Sequence, residues 1–253
     1  MDSAAIYYLG MNIARPFSLL ATVYDAIMDD IDYEAWAAFI LETATARGWT
    51  GGRLLELGCG TGNATRPFVE CGFDVVGLDS SAEMLAVARA KLPKVTFVQA
   101  DFTTFELDTP FSLVYSVFDS LNNLLTKKAF SSMAVSVYEG LKPGGFFIFD
   151  VNTTEGLRDL ERSGLTEGWA GEVYYRWEHS FDEGTGLGKV EAYCEDPETS
   201  FTEVHFERPY DAAELEALLT DVGFVNVEAL NYPEGEVARG DEVRLWVVTR
   251  KPL

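Results

Sequence analysis

Three glycines at alternate positions follow an apolar, strand-like run and form the part of the sequence best suited to bind a ligand. The run is Leu54-Leu55-Glu56-Leu57, and it continues directly into Gly58-Cys59-Gly60-Thr61-Gly62-Asn63. Glycine lets a chain turn sharply and leaves its backbone amides uncovered, and amides at the start of a helix bind polar groups. The segment therefore predicts a binding turn for a small polar ligand.

The spacing of the glycines narrows the class of ligand. A dinucleotide-binding turn has the pattern G-x-G-x-x-G, but Gly62 lies one position early and Asn63 stands where the third glycine is expected. No Gly-Lys-Ser or Gly-Lys-Thr follows, which excludes a Walker A loop. Glu56 adds a negative charge that would repel a pyrophosphate but suits the ammonium and sulfonium groups of S-adenosylmethionine.

Two further acidic residues end strand-like runs. Asp79 comes 17 residues after Gly62, where a carboxylate can accept both hydroxyls of a ribose. Asp101 ends the next run and is followed by Phe102. This pair suits an adenine, because the carboxylate can accept from the exocyclic amine while the ring packs on the base. The acids together favour S-adenosylmethionine over NAD or FAD.

Four motifs in this order resemble those of the class I S-adenosylmethionine-dependent methyltransferases. They lie at residues 56–62, 77–85, 99–102 and 141–145. The resemblance covers residues 53–151 and the last two predicted strands, and it implies S-adenosylmethionine as cofactor and methyl transfer as reaction. The residues predicted to bind the cofactor, here and in the N-terminal segment, are Tyr24, Tyr33, Trp36, Glu56, Gly58, Cys59, Gly60, Asn63, Asp79, Ser80, Met84, Ala100, Asp101, Phe102, Phe118 and Asn122.

A narrower resemblance concerns segments outside the four motifs. Tyr24-Asp25 with Met28, Asp32-Tyr33 with Trp36, and the run at 118–122 look like a group of small bacterial methyltransferases related to amino-sugar and glycine N-methyltransferases. The resemblance implies that N-terminal helices (1–50) cover the cofactor domain (51–151 and 209–253). It also implies that an antiparallel insertion (152–208) shapes the acceptor site.

Three residues are candidates for catalysis. Methyl transfer from a sulfonium is an in-line displacement, so alignment of the nucleophile supplies much of the rate; an alcohol or phenol acceptor also needs a base. Asp119 follows the fourth predicted strand, where open α/β sheets bind ligands, and Tyr24 can face the sulfonium. His179 can accept a proton if the insertion lines the site. Helix capping is the alternative for Asp119 and Asn122, and ordinary packing is the alternative for the aromatic residues and His179.

The elements that must position these residues alternate along the chain. Predicted strands at 53–57, 74–78, 95–100, 113–118 and 146–151 are separated by helix-like segments, and two more strands follow at 224–230 and 243–249. This order predicts a doubly wound, mostly parallel, seven-stranded α/β sheet of the Rossmann-like methyltransferase type. One or two amphipathic helices are expected within 11–42, and period-2 alternation within 152–208 predicts an antiparallel sheet of about three strands.

Composition bounds the function classes. The chain has 253 residues, 47% of them hydrophobic, which suits one α/β domain with an insertion. A formal net charge of -22 argues against nucleic acid and would steer a cationic acceptor such as an amine. A solvated surface that confers solubility, or a salt-adapted host, is the more common reason for such a charge. Three scattered cysteines and two histidines favour neither disulfides nor a metal site.

The expected protein is a methyltransferase that transfers a methyl group from S-adenosylmethionine to a small molecule, with an amine preferred. Polar residues interrupt the first twenty positions, and no apolar run reaches membrane-spanning length, so a cytoplasmic protein is expected. Methylation of RNA or protein, and a catalytically silent protein that binds S-adenosylmethionine, are the alternatives. The oligomeric state is open, with a homodimer as one option.

Overall fold

The computed structural model describes residues 13–107 and 110–253. Its strands are β1 (Ile13–Ala14), β2 (Leu54–Leu57), β3 (Val75–Asp79), β4 (Thr96–Gln99), β5 (Phe111–Ser116), β6 (Leu141–Asn152), β7 (Leu165–Ala170), β8 (Val173–Asp182), β9 (Leu187–Glu195), β10 (Ser200–Glu207), β11 (Val225–Leu230) and β12 (Arg244–Arg250). Its α-helices are α1 (Tyr24–Ile27), α2 (Tyr33–Ala46), α3 (Thr65–Glu70), α4 (Ala82–Lys91), α5 (Lys127–Gly140), α6 (Thr154–Ser163) and α7 (Ala212–Val222). Two 3-10 turns lie at Leu19–Thr22 and Ser120–Asn123.

The larger sheet has seven strands in the order β11-β12-β6-β5-β2-β3-β4. Strands β2 to β6 pair in parallel, and β12 pairs antiparallel with β6 and with β11. The predicted seven-stranded, mostly parallel sheet is confirmed. The start of its fifth strand is corrected: β6 begins at Leu141 rather than at Phe146. The pairing of β5 with β6 shifts in register between Phe111 and Leu113. In the early part of β6, Gly144 has a φ of +75°.

Alternate residues of the central strands enter two separate cores. In β6, Phe147 and Phe149 pack on the side of α5 and α7, while Phe146 and Ile148 pack on the side of α2 and α3. Successive side chains of a strand point to opposite faces, so a strand buried on both faces is apolar throughout. Helices on both sides of the sheet confirm the doubly wound arrangement.

The smaller sheet has the order β1-β10-β9-β8-β7. Strands β7 to β10 are antiparallel neighbours, and β1 joins β10 in parallel. The expected count of about three strands is therefore corrected to four antiparallel strands with a fifth from the N-terminal segment. Strand β7 was missed because Gly168 weakens the strand pattern and five of its six residues are not buried.

The N-terminal segment is held against this smaller sheet by one buried carboxylate. Glu203 of β10 is fully buried and accepts hydrogen bonds from the backbone amides of Phe17 (2.6 Å), Ser18 (3.1 Å) and Leu20 (3.0 Å). Residues 1–12 of the predicted helical cover lie outside the described part of the chain; the rest forms β1, a 3-10 turn, α1 and α2. Within the described ranges, no helix combines the length and apolarity required to cross a membrane.

Candidate active site

A cavity of about 590 Å³ lies where the larger sheet, the N-terminal helices and the smaller sheet meet. It opens at the carboxyl ends of β2, β3 and β5, where open α/β sheets bind ligands, and its volume suits a small molecule. Most of the residues predicted to act in binding or catalysis line it. They are Tyr24, Tyr33, Glu56, Gly58, Cys59, Gly60, Asn63, Asp79, Ser80, Met84, Phe102, Phe118, Asp119 and His179.

The glycine turn and Asp79 form one hydrogen-bonded unit. Gly58 and Gly60 have φ values of +68° and +50°, a conformation that side chains disfavour. A Cβ at Gly58 would lie 2.9 Å from the Ser120 Cβ, whereas a Cβ at Gly60 would meet nothing within 4 Å. The Gly60 and Ser81 amides each donate to the Asp79 carboxylate at 2.8 Å. These bonds fix the carboxylate in the cavity wall.

Burial destabilises the ionised form of the Asp79 carboxyl, and a ligand that donates hydrogen bonds can offset this. Burial raises its pKa, although the amide bonds act in the opposite direction. Hydroxyl donors from a ribose would add hydrogen bonds to the ionised form and stabilise it. The turn, the open space at Gly60 and the poised carboxylate therefore fit the ribose and methionine portion of S-adenosylmethionine.

Glu56 is a second buried acid at the turn. Its Oε2 accepts from the Thr65 hydroxyl (2.5 Å) and the Tyr115 hydroxyl (3.0 Å), and only 1% of the residue is exposed. Burial raises its pKa to about 7. A cation bound in the cavity would favour the ionised carboxylate, which fits the ammonium and sulfonium of the proposed ligand.

Replacing Glu56 with glutamine should remove a pH dependence of stability. The pKa of Glu56 is raised from 4.5 to about 7 in the folded protein. The stability that its protonated carboxyl contributes is therefore complete below pH 4.5 and lost as the pH rises through 7. Glutamine does not titrate, so the free energy of unfolding of the variant, relative to that of wild type, should rise by on the order of 3 kcal/mol between about pH 4.5 and pH 8. Chemical denaturation at both pH values measures the gain. The exposed Glu139→Gln variant should show none; an equal result for both variants would contradict the assignment.

The cover is attached to the glycine turn through Asp25. The Asp25 carboxylate of α1 accepts from the Thr61 hydroxyl (2.5 Å) and the Asn63 amide (3.0 Å), and it pairs with Lys91 of α4. The Lys91 ammonium also donates to the Asn63 side-chain oxygen at 2.5 Å. Sequence reasoning placed Asp25 only in a resemblance, because nothing local reveals a partner 36 residues away.

Loss of the Asp25 carboxylate should loosen the cover. An Asp25→Ala variant is expected to raise the Kd for S-adenosylmethionine by about tenfold, because removal of a charge-assisted network of this kind costs on the order of 1.5 kcal/mol. Isothermal titration measures the change, with the exposed Asp29→Ala as matched control. Unchanged affinity in Asp25→Ala would show that the cover does not assist binding.

Four residues predicted to bind the cofactor lie outside the lining of this cavity, and their role in binding stays a prediction. Trp36 packs behind the wall, with its ring 5.6 Å from Phe118 and 6.2 Å from Trp246. Ala100 packs against the core beside α5. Asp101 is exposed and accepts from the Thr103 amide (2.8 Å) in a shallow neighbouring recess. Asn122 is fully buried, and its amide is bonded to the backbone of Asn152 and Arg208.

The far half of the cavity contains an ion-pair network around Asp119. Phe118 and Asp119 both have positive φ values, +61° and +48°, a strained pair typical of functional sites. The Asp119 carboxylate pairs with Arg244 at 2.9 Å, and Arg244 also pairs with the buried Asp150. Asp119 therefore binds an arginine rather than capping the 3-10 turn, for which no side-chain cap bond exists.

Residues from the smaller sheet complete this half. Trp177 and His179 of β8 line it, with His205 and Glu207 of β10. Burial lowers the pKa of His179, which favours the neutral ring and leaves it able to accept a proton. Sequence reasoning missed Glu207 and Arg244. The one available signal was a charged residue at the end of an otherwise apolar strand, as at Arg244 before the run 245–248.

Among the residues that the structure describes, no cluster of three or more His, Cys, Asp or Glu side chains could hold a metal ion. The polar groups in the cavity wall include carboxylates, hydroxyls and backbone amides, which suit an organic ligand.

Comparison with known proteins identifies the family. A family described as a methyltransferase domain matches residues 54–145. A putative methyltransferase, YqeM of Bacillus subtilis (strain 168), is 31% identical over 213 residues, covering 81% of this chain and 84% of the relative. A dTDP-3-amino-3,4,6-trideoxy-alpha-D-glucopyranose N,N-dimethyltransferase of Streptomyces venezuelae is 30% identical over 204 residues, covering 76% of this chain and 83% of the relative.

Solved structures agree. The crystal structure of a S-adenosylmethionine-dependent methyltransferase from Clostridium acetobutylicum ATCC 824 superposes with a TM-score of 0.79 and 27% identity, covering 92% of this chain and 98% of that one. The protein belongs to the S-adenosylmethionine-dependent methyltransferases, as the four motifs predict. Its cofactor is S-adenosylmethionine.

Proposed function

We propose that this methyltransferase transfers the methyl group to an amine of a small-molecule acceptor. The observation that carries the proposal is the charge of the cavity wall: five carboxylates line it, from Asp30, Glu56, Asp79, Asp119 and Glu207. Arg244 is the one lysine or arginine in the described lining, and it already pairs with two carboxylates. Carboxyl groups in such a wall attract an ammonium group, and a bound cation in turn favours the ionised form of those whose pKa burial raises. The named activity of the Streptomyces venezuelae relative, on an amino sugar, supports the same class.

The positions of the residues suggest how the cofactor binds. In the proposal the Asp79 carboxylate accepts from the ribose hydroxyls, and Phe102 packs on the adenine. Glu56 faces the cationic methionine end, with the rings of Tyr24 and Tyr33 closing over it. When bound, S-adenosylmethionine supplies an electrophilic methyl carbon. Asp119 and His179 lie in the half of the cavity left for the acceptor.

The three parts of the chain have separate tasks in this proposal. Residues 1–50 cover the cofactor, residues 51–151 with 209–253 bind it, and residues 152–208 form the acceptor wall. Trp36 and Asn122 are positioning residues: Trp36 supports Phe118 from behind, and Asn122 ties the end of β6 to Arg208. The protein acts in the cytoplasm, without nucleic acid or membrane as partner, and light scattering tests whether it forms a homodimer.

Two measurements test the proposed function. Isothermal titration with S-adenosylmethionine, its demethylated product and NADH should detect binding of the first two alone. A screen with donor labelled in the methyl group, offered a metabolite extract, total RNA and a protein extract, should place the label in small amines. Label in RNA or protein would support the first alternative. Cofactor binding with no labelled product in any fraction would support the silent binding protein.

A further inference from the structure

The half of the cavity around Asp119, Arg244, Trp177, His179, His205 and Glu207 is called the acceptor half below. One buried carboxylate in it takes no part in the ion pairs of Arg244. Glu207, the last residue of β10, lines the cavity and is 9% exposed. Its one hydrogen-bond partner within the described residues is the Asn152 side-chain amide, at 3.4 Å. The same amide donates to Asp119 at 3.2 Å. Asn152 therefore joins two carboxylates, of which only Asp119 has a cation as partner.

The surroundings of Glu207 keep its carboxyl ready to exchange a proton near neutral pH. Burial raises the pKa of Glu207 to about 8, and the negative charge of Asp119 acts in the same direction. The bond from Asn152 and the charge of Arg244 oppose this shift. The other titratable groups that line this half are the side chains of Tyr24, Tyr175, His179 and His205.

The same wall presents an unused hydrogen-bond donor. The indole Nε1 of Trp177 is buried and has no hydrogen-bond partner among the described residues. A buried donor without a partner costs free energy that a ligand oxygen would recover. The acceptor half thus offers a carboxylate for a cation and an N–H for a neutral oxygen atom.

We propose that Glu207 accepts the proton of the acceptor's ammonium group, and that this half of the cavity selects amines that place no phosphate within it. The proposal rests on the proposed function and adds the proton acceptor and the charge class of the acceptor to it. The ammonium N–H bond breaks, its proton goes to the Glu207 carboxylate, and its electron pair stays on nitrogen as the lone pair. That lone pair forms the bond to the methyl carbon while the carbon–sulfur electron pair stays on sulfur. The methylated amine leaves as a cation, and Glu207 loses its proton to solvent.

Exclusion of phosphate follows from the charges on the wall. A bound phosphate in proteins is met by arginine, lysine or backbone amides. Arg244 is held by Asp119 and Asp150, so a phosphate in this half would lie among carboxylates without a free cation among the described lining residues. Small amines whose phosphate would lie inside this half should therefore bind poorly, whereas a diphosphate linked further from the amine, as in the dTDP sugar named for the Streptomyces venezuelae relative, lies outside the reach of this argument.

Matched amines and a matched pair of variants test the proposal. The probes are glucosamine with glucosamine 6-phosphate, and ethanolamine with phosphoethanolamine. In wild type we expect the phosphorylated member of each pair to have a kcat/KM at least about tenfold lower. Glu207→Gln should lower kcat/KM for the unphosphorylated amines by about 100-fold, the usual size of a lost proton acceptor. The control is Glu178→Gln, an exposed position on the outer face of β8, which should match wild type.

Two further readouts separate a chemical role from a structural one. The pH profile of kcat/KM should rise through about pH 8 in wild type, and this limb should move to the pKa of the amine itself in Glu207→Gln. Carbon-13 NMR of labelled glutamate, assigned with Glu207→Gln, should show a carboxyl that titrates near pH 8 and shifts downward when either amine is added. The proposal is overturned if this carboxyl titrates near pH 4 or ignores both amines, if Glu207→Gln keeps wild-type kinetics, or if the phosphorylated amines are preferred. Failure to bind S-adenosylmethionine in titration would instead refute the proposed function.

Discussion

Replacing Asp79 with alanine is expected to raise the Kd for S-adenosylmethionine by about 10- to 100-fold. The carboxylate is held by the Gly60 and Ser81 amides, both at 2.8 Å, and Asp79 lines the cavity. Each hydrogen bond to a charged group contributes about 1.5–3 kcal/mol, and 1.4 kcal/mol is a factor of ten in affinity. The variant loses the predicted ribose contacts and also releases the glycine turn.

Isothermal titration with S-adenosylmethionine and with its demethylated product measures this loss. Both ligands should weaken equally, because they share the ribose. Asp221→Asn, an exposed acid on α7, controls for the change in net charge, and thermal unfolding of each variant controls for folding. An Asp79→Ala protein that is folded and binds the cofactor with wild-type affinity would contradict the assignment of this carboxylate to the ribose.

Replacing Arg244 with methionine is expected to destabilise the fold by on the order of 3 kcal/mol. Arg244 pairs with Asp119 at 2.9 Å and with Asp150, which is 1% exposed. Burial raises the pKa of Asp150 to about 6, and the guanidinium opposes that shift. Without the arginine, two carboxylates share a buried site with no counter-charge, and such uncompensated charge costs several kcal/mol.

For a chain of this size, that loss corresponds to a fall of about 6–12 °C in the unfolding temperature. Scanning calorimetry near pH 7 measures it. The fall should shrink at about pH 5, where Asp150 can take up a proton and lose its charge. Arg158→Met is the control, since its pair with Glu183 is largely exposed and solvent screens such pairs. Equal falls for both variants would show that the buried network contributes no more than a surface pair.

The larger sheet could be predicted from the sequence because its strands carry their own signals. Apolar runs such as β2, whose four residues are all buried, separate clearly from the helices, and capping residues mark the helix starts. Ser81 accepts from the Met84 amide and Asp211 from the Glu214 amide, as their positions before α4 and α7 suggest. Local chemistry of this kind needs no knowledge of distant partners.

The short strand β1 and the ion pairs of Arg244 could not be predicted, because they depend on contacts between distant segments. Strand β1 is two residues long and exists because it pairs with β10, almost 190 residues later. Arg244 reaches Asp119 and Asp150 only because β12 lies antiparallel beside β6, with Arg244 opposite Asn152. No pattern within one segment contains that register, so sequence reasoning placed Asp119 in the site without finding its cation.

The cofactor half was anticipated in more detail than the acceptor half for the same reason. The glycine turn, Glu56 and Asp79 belong to adjacent parallel strands, whose carboxyl ends must meet at one edge of the sheet. Glu207 comes from a different sheet, and its neighbours are set by how the two sheets pack. Asp101 was predicted to bind adenine from its place at a strand end before Phe102; its side chain accepts from Thr103 in the recess that Phe102 also lines, and its role stays a prediction.

The two carboxylates that hold the N-terminal segment have a kinetic consequence. Glu203 accepts from the segment's backbone at residues 17–20, and the segment's own Asp25 accepts from Thr61 of the glycine turn, so the segment is fixed at both points beside the cavity. The spent donor must leave after each turnover, and its exit requires this segment to detach at one point or both. We expect opening of the segment, a step slower than the displacement of a well-aligned methyl group, to set the pace of the catalytic cycle. The cover would then limit the rate of turnover as well as enclose the cofactor.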